Sequence, residues 1–275
     1  MENPTIAFIG GGNMAASLIG GLIAGGWPAD RIRVTDPNSA RREALASEFS
    51  VHTGDDNVSA ASECGVVVLA VKPQALREVS QNIAPVVGQH SPLIVSIAAG
   101  VREPDLNRWL GGQAAIVRTM PNTPAMVQSG ATVLYANRQV TPSQRDLAES
   151  ILRSVGVTEW VQDESLMDAV TALSGSGPAY FFLVMEAMEQ EAIALGLTHA
   201  QAHLLTLQTA LGAAKMAMES PQSLAQLRQQ VTSPGGTTER ALKVLEDHNL
   251  REIFAAALKA AKQRSAELAD ILGAK

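Results

Sequence analysis

Short apolar runs punctuate the first half of the chain. Residues 6–9 read Ile-Ala-Phe-Ile, residues 65–71 Gly-Val-Val-Val-Leu-Ala-Val, and residues 93–97 and 114–119 repeat the type. Such near-continuous runs predict strands buried on both faces. Residues 32–35 and 131–135 add two further strands, and residues 157–161 read as an edge strand. Between them the spacing turns helical. Met14, Leu18, Leu22 and Ile23 share one face, residues 39–49 form a second helix, and residues 141–155 a capped one. Strands alternating with helices predict an α/β fold, a Rossmann-like, mostly parallel, doubly wound sheet.

The pattern changes near Asp163. From there residues 180–195, 200–219, 223–230, 238–246 and 250–272 all read as helices and no strand is expected. Two domains follow: an α/β domain over 1–162, and an all-helical domain over 163–275. The helices at 180–195 and 204–218 are apolar on more than one face, which calls for burial. Five helices can hardly enclose two of them, so this domain is expected to pack against a second copy of itself.

Chemistry enters at the first strand's end. The run 6–9 stops at Gly10, Gly11 and Gly12 and a helix begins at once, so the pattern G-x-G-x-x-A stands in the strand–turn–helix context that gives it meaning. Gly10 suits the tight turn, Gly12 lets a pyrophosphate approach the backbone, and Ala15 permits close helix–strand packing. The N–H groups around Asn13 and Met14, with the helix dipole, suit phosphates. Other expected strand ends carry Asp36, Lys72–Pro73, residues 98–100 and Pro121–Asn122, and ligands of such sheets bind beyond those ends. Lys72 reads equally as a solvated loop residue or a phosphate contact.

Composition narrows the class. The 275 residues are 46% hydrophobic and 17% charged with a net charge of -6, which suits a soluble core-forming protein and disfavours a nucleic-acid surface. Cys64 is the single cysteine, in apolar company, and reads as a buried thiol. Asp55–Asp56 and Asp163–Glu164 read as solvated turns and no metal site is expected. The five histidines read as surface or capping residues. No run approaches the ~20 residues of a membrane span. The acidic N-terminus at Glu2 does not read as a secretory signal, so a cytoplasmic location is expected.

Two stretches are unusual for a plain helical bundle: Ser-Gly-Ser-Gly-Pro-Ala-Tyr at 174–180 and Ser-Pro-Gly-Gly-Thr-Thr at 233–238. Each precedes a helix. Pro178 suits a first helical turn, and Thr237 or Thr238 suits an N-cap. Together they offer N–H groups and hydroxyls able to hold a small carboxylate.

With these two stretches the chain resembles the pyrroline-5-carboxylate reductases over essentially its whole length. The glycine turn, Asn57, Ala-Val-Lys-Pro at 70–73, Ser-Ile-Ala-Ala-Gly at 96–100 and Met-Pro-Asn-Thr-Pro at 120–124 carry the resemblance further. It implies hydride transfer from a nicotinamide, in this family usually NADPH, to the imine carbon of pyrroline-5-carboxylate, giving proline; NADPH, with NADH also accepted, is the expectation for this chain. It implies cofactor contacts at Gly10, Gly11, Gly12, Asn13, Met14, Ala15, Asn57, Ala70, Val71, Lys72, Pro73, Ser96, Ile97 and Ala98. Substrate contacts are implied at Ser176, Gly177, Gly235, Gly236, Thr237 and Thr238, with the Thr238 hydroxyl on the ring nitrogen as the catalytic contact. It also implies dimers, often assembled further, through C-terminal helices. A protonated imine is already electrophilic, so no strong general acid is required.

At the ribose pocket, residue chemistry and resemblance diverge. Asp36 at the end of the second strand suits the 2′-hydroxyl of NAD and repels a 2′-phosphate, yet Asn38, Arg41 and Arg42 follow it. Two rival readings stay open. A β-hydroxyacid dehydrogenase would need a lysine acid–base, for which Lys215 and Lys243 are the candidates. A non-catalytic NADP-binding sensor would have no use for the two glycine-rich stretches together.

Overall fold

A computed structural model describes residues 3–274; Met1, Glu2 and Lys275, and with them the expectation drawn from Glu2, lie outside. The strands are β1 Ile6–Ile9, β2 Ile32–Thr35, β3 His52–Gly54, β4 Val66–Leu69, β5 Leu93–Ser96, β6 Ala115–Met120, β7 Gly130–Ala136 and β8 Gly156–Trp160. They form an eight-stranded sheet in the order β3-β2-β1-β4-β5-β6-β7-β8. The strands from β3 across to β6 are parallel neighbours, with Ile6 opposite both Ile32 and Val66. β7 then pairs antiparallel with β6, and β8 parallel with β7. The last two strands therefore run against the others.

Helices α1 Asn13–Ala24, α2 Ser39–Phe49, α3 Asn57–Ser62, α4 Pro73–His90, α5 Glu103–Trp109 and α6 Pro142–Arg153 connect the strands. The apolar runs explain themselves in the packing. Val66 and Val68 of β4 join one fully buried cluster with Phe8, Leu18, Ile19 and Val34. Val67 and Leu69 join a second with Ile9, Leu76, Ile83 and Ile94. A strand covered on both faces needs apolar residues at both parities.

After β8 the chain is helical: α7 Met167–Val170, a π-helical turn at Thr171–Gly175, α8 Gly177–Ala194, α9 His199–Glu219, α10 Leu224–Gln230, α11 Thr237–Asp247 and α12 Leu250–Gly273. The switch from sheet to helices falls where the sequence changes. Compactness divides the chain elsewhere. The described residues up to Ser176 pack with those from Ala261 on, and Gly177–Ala260 form a second unit. Arg102 joins the end of α12 to the sheet unit through Asp270 at 2.6 Å, and Ser265 donates to Asp168 Oδ1 at 2.7 Å.

Capping boxes start α6 (Thr141 with Gln144), α9 (Thr198 with Gln201) and α10 (Ser223 with Gln226). Helix α8 exposes Phe181, Phe182 and Leu183, and α9 exposes Leu204, Leu205, Leu211 and Met218. Phe181 is 70% and Met218 80% exposed in one copy. That is far more apolar surface than a soluble monomer leaves in water. Among the described residues no helix is long and apolar enough to cross a membrane.

Candidate active site

The glycine turn is shaped by its neighbours. The Gly10 N–H donates to Thr35 O at 2.8 Å, and the Ala70 N–H donates to Ile9 O at 2.8 Å. Gly10 has φ +99°, and a Cβ there would sit 2.6 Å from Ala70 O, so only glycine fits. A Cβ on Gly11 would come within 2.7 Å of Leu45 Cδ1. Gly12 differs. It caps α1 in extended conformation without a side-chain hydrogen bond to the cap, and a Cβ would meet nothing within 4 Å. The protein leaves this side open, next to a helix start that suits anionic oxygens. These residues fit the pyrophosphate of a dinucleotide.

A groove of about 620 Å³ runs from this turn. Of the expected cofactor residues, Gly10, Gly12, Asp36, Asn38 and Arg41 line it, as do Asn57, Ala70, Val71 and Lys72. Asn57 Oδ1 accepts from the Thr35 hydroxyl at 2.6 Å. Asp36 accepts the N–H groups of Gly11 and Asn38, each at 2.9 Å. The Asn38 side chain caps α2 by accepting from the Arg41 N–H at 3.3 Å. The Arg41 guanidinium lies over the glycine turn, donating to Gly11 O and Asn13 Oδ1 at 3.2 Å. Arg42 is turned to Asp36 O at 2.7 Å, with Asp55 at 3.9 Å.

The remaining expected cofactor residues lie off the groove. Gly11 backs onto Leu45, and Asn13 faces a neighbouring depression beside α1. Ala15 is fully buried, with Met14 and Ile97 packed on the same cluster. Ser96 and Ala98 are buried where β5 ends, and the Ser96 hydroxyl has no partner. Pro73 opens α4 and faces a separate pocket with Gly100, Ser176 and Leu268. Conversely, Thr35, Pro37, Asp55, Ala75, Glu78 and Val79 line the groove without having been expected. Ala75, Glu78 and Val79 follow the Lys72–Pro73 turn at helical spacing, a signal present in the sequence.

Both glycine-rich stretches of the helical part form helix starts. At the first, the Ser176 N–H closes a π-type bond to Thr171 O at 2.8 Å, and α8 opens at Gly177 with Pro178 second. π-turns inside helices frequently mark functional sites. At the second, the expected cap is corrected: Gly236, not Thr237 or Thr238, is the N-cap of α11. Gly235 at φ +72° makes the turn, and its N–H donates to Glu239 Oε2 at 2.7 Å. With the cap formed by glycine backbone, Thr237 and Thr238 lie in the first helical turn, where their hydroxyls do not cap.

Glu164 is not a solvated turn residue, as its sequence suggests. Its carboxylate meets the buried Arg118 guanidinium at 2.7 Å and accepts the Glu103 N–H at 2.6 Å. Asp56 and Asp163 do serve turns, capping α3 and the turn at Ser165. Two hydrogen bonds from Ser165 hold the Asp163 carboxyl below its ordinary range. Burial pushes the Cys64 thiol up to about 11; Arg33 opposes this and Glu63 adds to it. All five histidines are exposed. Lys215 pairs with Glu219 at 3.8 Å and Lys243 with Asp247 at 3.0 Å, one helical turn away in each case. No group of residues able to hold a metal ion occurs among those described.

A mostly parallel sheet, a glycine turn at its first strand–helix junction and a groove across the strand ends define a Rossmann-type dinucleotide-binding protein. Residues 5–100 match the family model described as NADP oxidoreductase, coenzyme F420-dependent. Residues 164–268 match the model for pyrroline-5-carboxylate reductase dimerisation, and the helical part is a self-association domain. The pyrroline-5-carboxylate reductase of Pseudomonas aeruginosa is 52% identical over 99% of this chain and all of its own length. A pyrroline-5-carboxylate reductase structure from Coxiella burnetii superposes with a TM-score of 0.93 at 50% identity, covering 97% of this chain and 98% of that one. The Plasmodium falciparum pyrroline carboxylate reductase, solved with NADP bound, gives 0.87 at 30% identity over 98% and 99%. The chain belongs to the pyrroline-5-carboxylate reductase family.

Proposed function

We propose that this protein reduces 1-pyrroline-5-carboxylate to L-proline by hydride transfer from a nicotinamide dinucleotide, the last step of proline biosynthesis. NADPH is preferred and NADH is accepted. The observation that carries the reading is the start of α1, without a side-chain cap and facing an open groove, in a chain of this family.

The dinucleotide supplies a hydride to the imine carbon, and the protein's part is to bind, orient and exclude water. Gly12, Asn13 and Met14 offer N–H groups to the pyrophosphate. Asp36, Asn38 and Arg41 face the adenosine ribose, and Lys72 reaches a phosphate. The Ser176 hydroxyl and the N–H groups of Gly177, Thr237 and Thr238 hold the substrate carboxylate, with Gly235 and Gly236, whose own N–H groups go to Glu239 and Ser233 O, shaping the turn beside it. The imine nitrogen arrives protonated from solvent and donates its N–H to the Thr238 hydroxyl oxygen. After hydride addition to carbon, that nitrogen becomes the secondary amine of proline, so no further proton is needed.

The domain boundary of the sequence, 1–162 and 163–275, assigns cofactor to the sheet and substrate and pairing to the helices. Self-association gives a dimer or an assembly of dimers, with a small molecule as substrate and neither nucleic acid nor membrane as partner. The location is cytoplasmic.

The test is direct. Purified protein mixed with pyrroline-5-carboxylate should consume NADPH and yield an equal amount of proline. Folded protein that oxidises neither NADPH nor NADH with this substrate would overturn the reading.

A further inference from the structure

Asn122 lies at the end of β6, where the chain leaves the sheet, and its amide spans two loops. Its Oδ1 accepts the Ala131 N–H at 2.9 Å, and its Nδ2 donates to Ser174 O at 3.1 Å. The partners fix the orientation of the amide, since a backbone N–H only donates and a carbonyl only accepts. Ala131 lies at the start of β7, so one end of the amide grips the sheet. The other end grips the π-turn Thr171–Gly175.

The sequence explains why that carbonyl needs help. In a regular helix the Ser174 carbonyl would accept from residue 178. Residue 178 is proline, which has no N–H. The Ser174 hydroxyl is turned back to Val170 O at 3.1 Å. Asn122 supplies the donor from outside the helix. Packing supports the same junction: a Cβ on Gly175 would run into Met120 Cε, at the end of β6 itself. The two residues immediately after this anchored turn are Ser176 and Gly177. A Cβ on Gly177 would meet nothing within 4 Å, so its hydrogen side faces open space.

We propose that Asn122 is a positioning residue for the imino acid: by replacing the N–H that Pro178 lacks, it holds the π-turn, whose Ser176 N–H is bonded to Thr171 O, so that the Ser176 hydroxyl and the Gly177 N–H are presented to the substrate carboxylate. This rests on the reading of Ser176 and Gly177 as substrate-binding.

The experiment is steady-state kinetics of the full-length protein with imine and NADPH varied separately. Asn122→Ala and Asn122→Asp, the latter keeping an acceptor for Ala131 but setting a carboxylate against the Ser174 carbonyl, should each raise KM for the imine roughly ten-fold. KM for NADPH should stay within about two-fold. A merely structural role would lower thermal stability and active fraction without separating the two KM values. Adding Pro178→Ala to Asn122→Ala restores an N–H for the Ser174 carbonyl and should recover most of the imine KM. Equal changes in both KM values, or no recovery in the double variant, would overturn the proposal. Gly177→Ala, for which the free protein has room, runs in parallel. If it and Ser176→Ala both leave the imine KM unaltered, the substrate-loop reading fails and this inference falls with it. If they raise it while the Asn122 variants do not, the positioning role alone is lost.

Discussion

The carboxylate of Asp36 is tied to the backbone of Gly11, its Oδ2 accepting that N–H at 2.9 Å while Oδ1 takes the N–H of Asn38. An acid held this way braces the glycine turn and has less to offer a ribose hydroxyl. Arg41, 3.2 Å from Gly11 O, stands beside it, and in the proposed function it supplies the cation for a 2′-phosphate. Wild type should therefore favour NADPH in kcat/KM. Arg41→Ala should lower the NADPH value roughly ten-fold and barely move the NADH value, the loss of one charged hydrogen bond. A strong NADH preference that Arg41→Ala leaves untouched would show that Asp36 decides the choice.

Gly10 and Gly12 should respond differently to the same substitution. Gly10→Ala forces a side chain onto φ +99° and against Ala70 O. It should cost about 3 kcal/mol in urea unfolding. Gly12→Ala has open space for its methyl. Its unfolding curve should overlay that of wild type while KM for NADPH rises about ten-fold or more, because the methyl stands where the pyrophosphate approaches.

Thr238 is relieved of capping by Gly236. Thr238→Ala should therefore leave the melting temperature within a degree or two, while turnover falls roughly ten-fold. Thermal melts and initial rates on the same preparation separate the two effects. A melting loss without a rate loss would return Thr238 to a structural role.

The apolar residues that α8 and α9 leave exposed in one copy predict a stable multimer. Light scattering at micromolar concentration should give at least twice the chain mass of 28.9 kDa. Phe181→Glu with Leu211→Glu should shift the distribution toward single chains and lower stability with it. A wild-type monomer would contradict the role given to these helices.

Cys64 gives the pH dependence. Its thiol ionises near 9.0 when unfolded and is pushed up to about 11 in the fold, chiefly by burial. A group whose folded pKa is raised contributes stability below the unfolded value and loses it as pH climbs through the folded one. The urea midpoint should thus fall between pH 9 and 11 by more in wild type than in Cys64→Ala. At pH 8 a thiol reagent should react on the order of a hundred-fold more slowly with native than with unfolded chain. Equal rates would mean that Cys64 is accessible.

The sheet was legible where physics leaves one solution. Residues 66–69 are apolar at both parities because both faces are covered, and Gly10 is glycine because no other residue takes φ +99° against a carbonyl. β3 was invisible because His52, Thr53 and Gly54 are polar and exist as a strand only through pairing with β2. The reversal at β7 left no mark either, since hydrophobic parity carries no strand direction. Glu164 beside Asp163 looked solvated because Arg118, its buried partner, is far away in sequence. At α11 the cap went to Gly236, whose backbone does the work and leaves no side chain to read.

The boxes that open α6, α9 and α10 all close with glutamine: Gln144, Gln201 and Gln226. An amide keeps the same donors and acceptors at any pH, so acid gives these helices no reason to fray at their starts. The Asp163 carboxyl, which caps the turn at Ser165 and is held below its ordinary range by the two Ser165 hydrogen bonds, is by contrast a cap that protonation weakens. Acidification is thus a selective probe of this chain. It acts on the turn at Asp163 and Ser165, where the sheet gives way to the helices, and leaves the starts of α6, α9 and α10 standing.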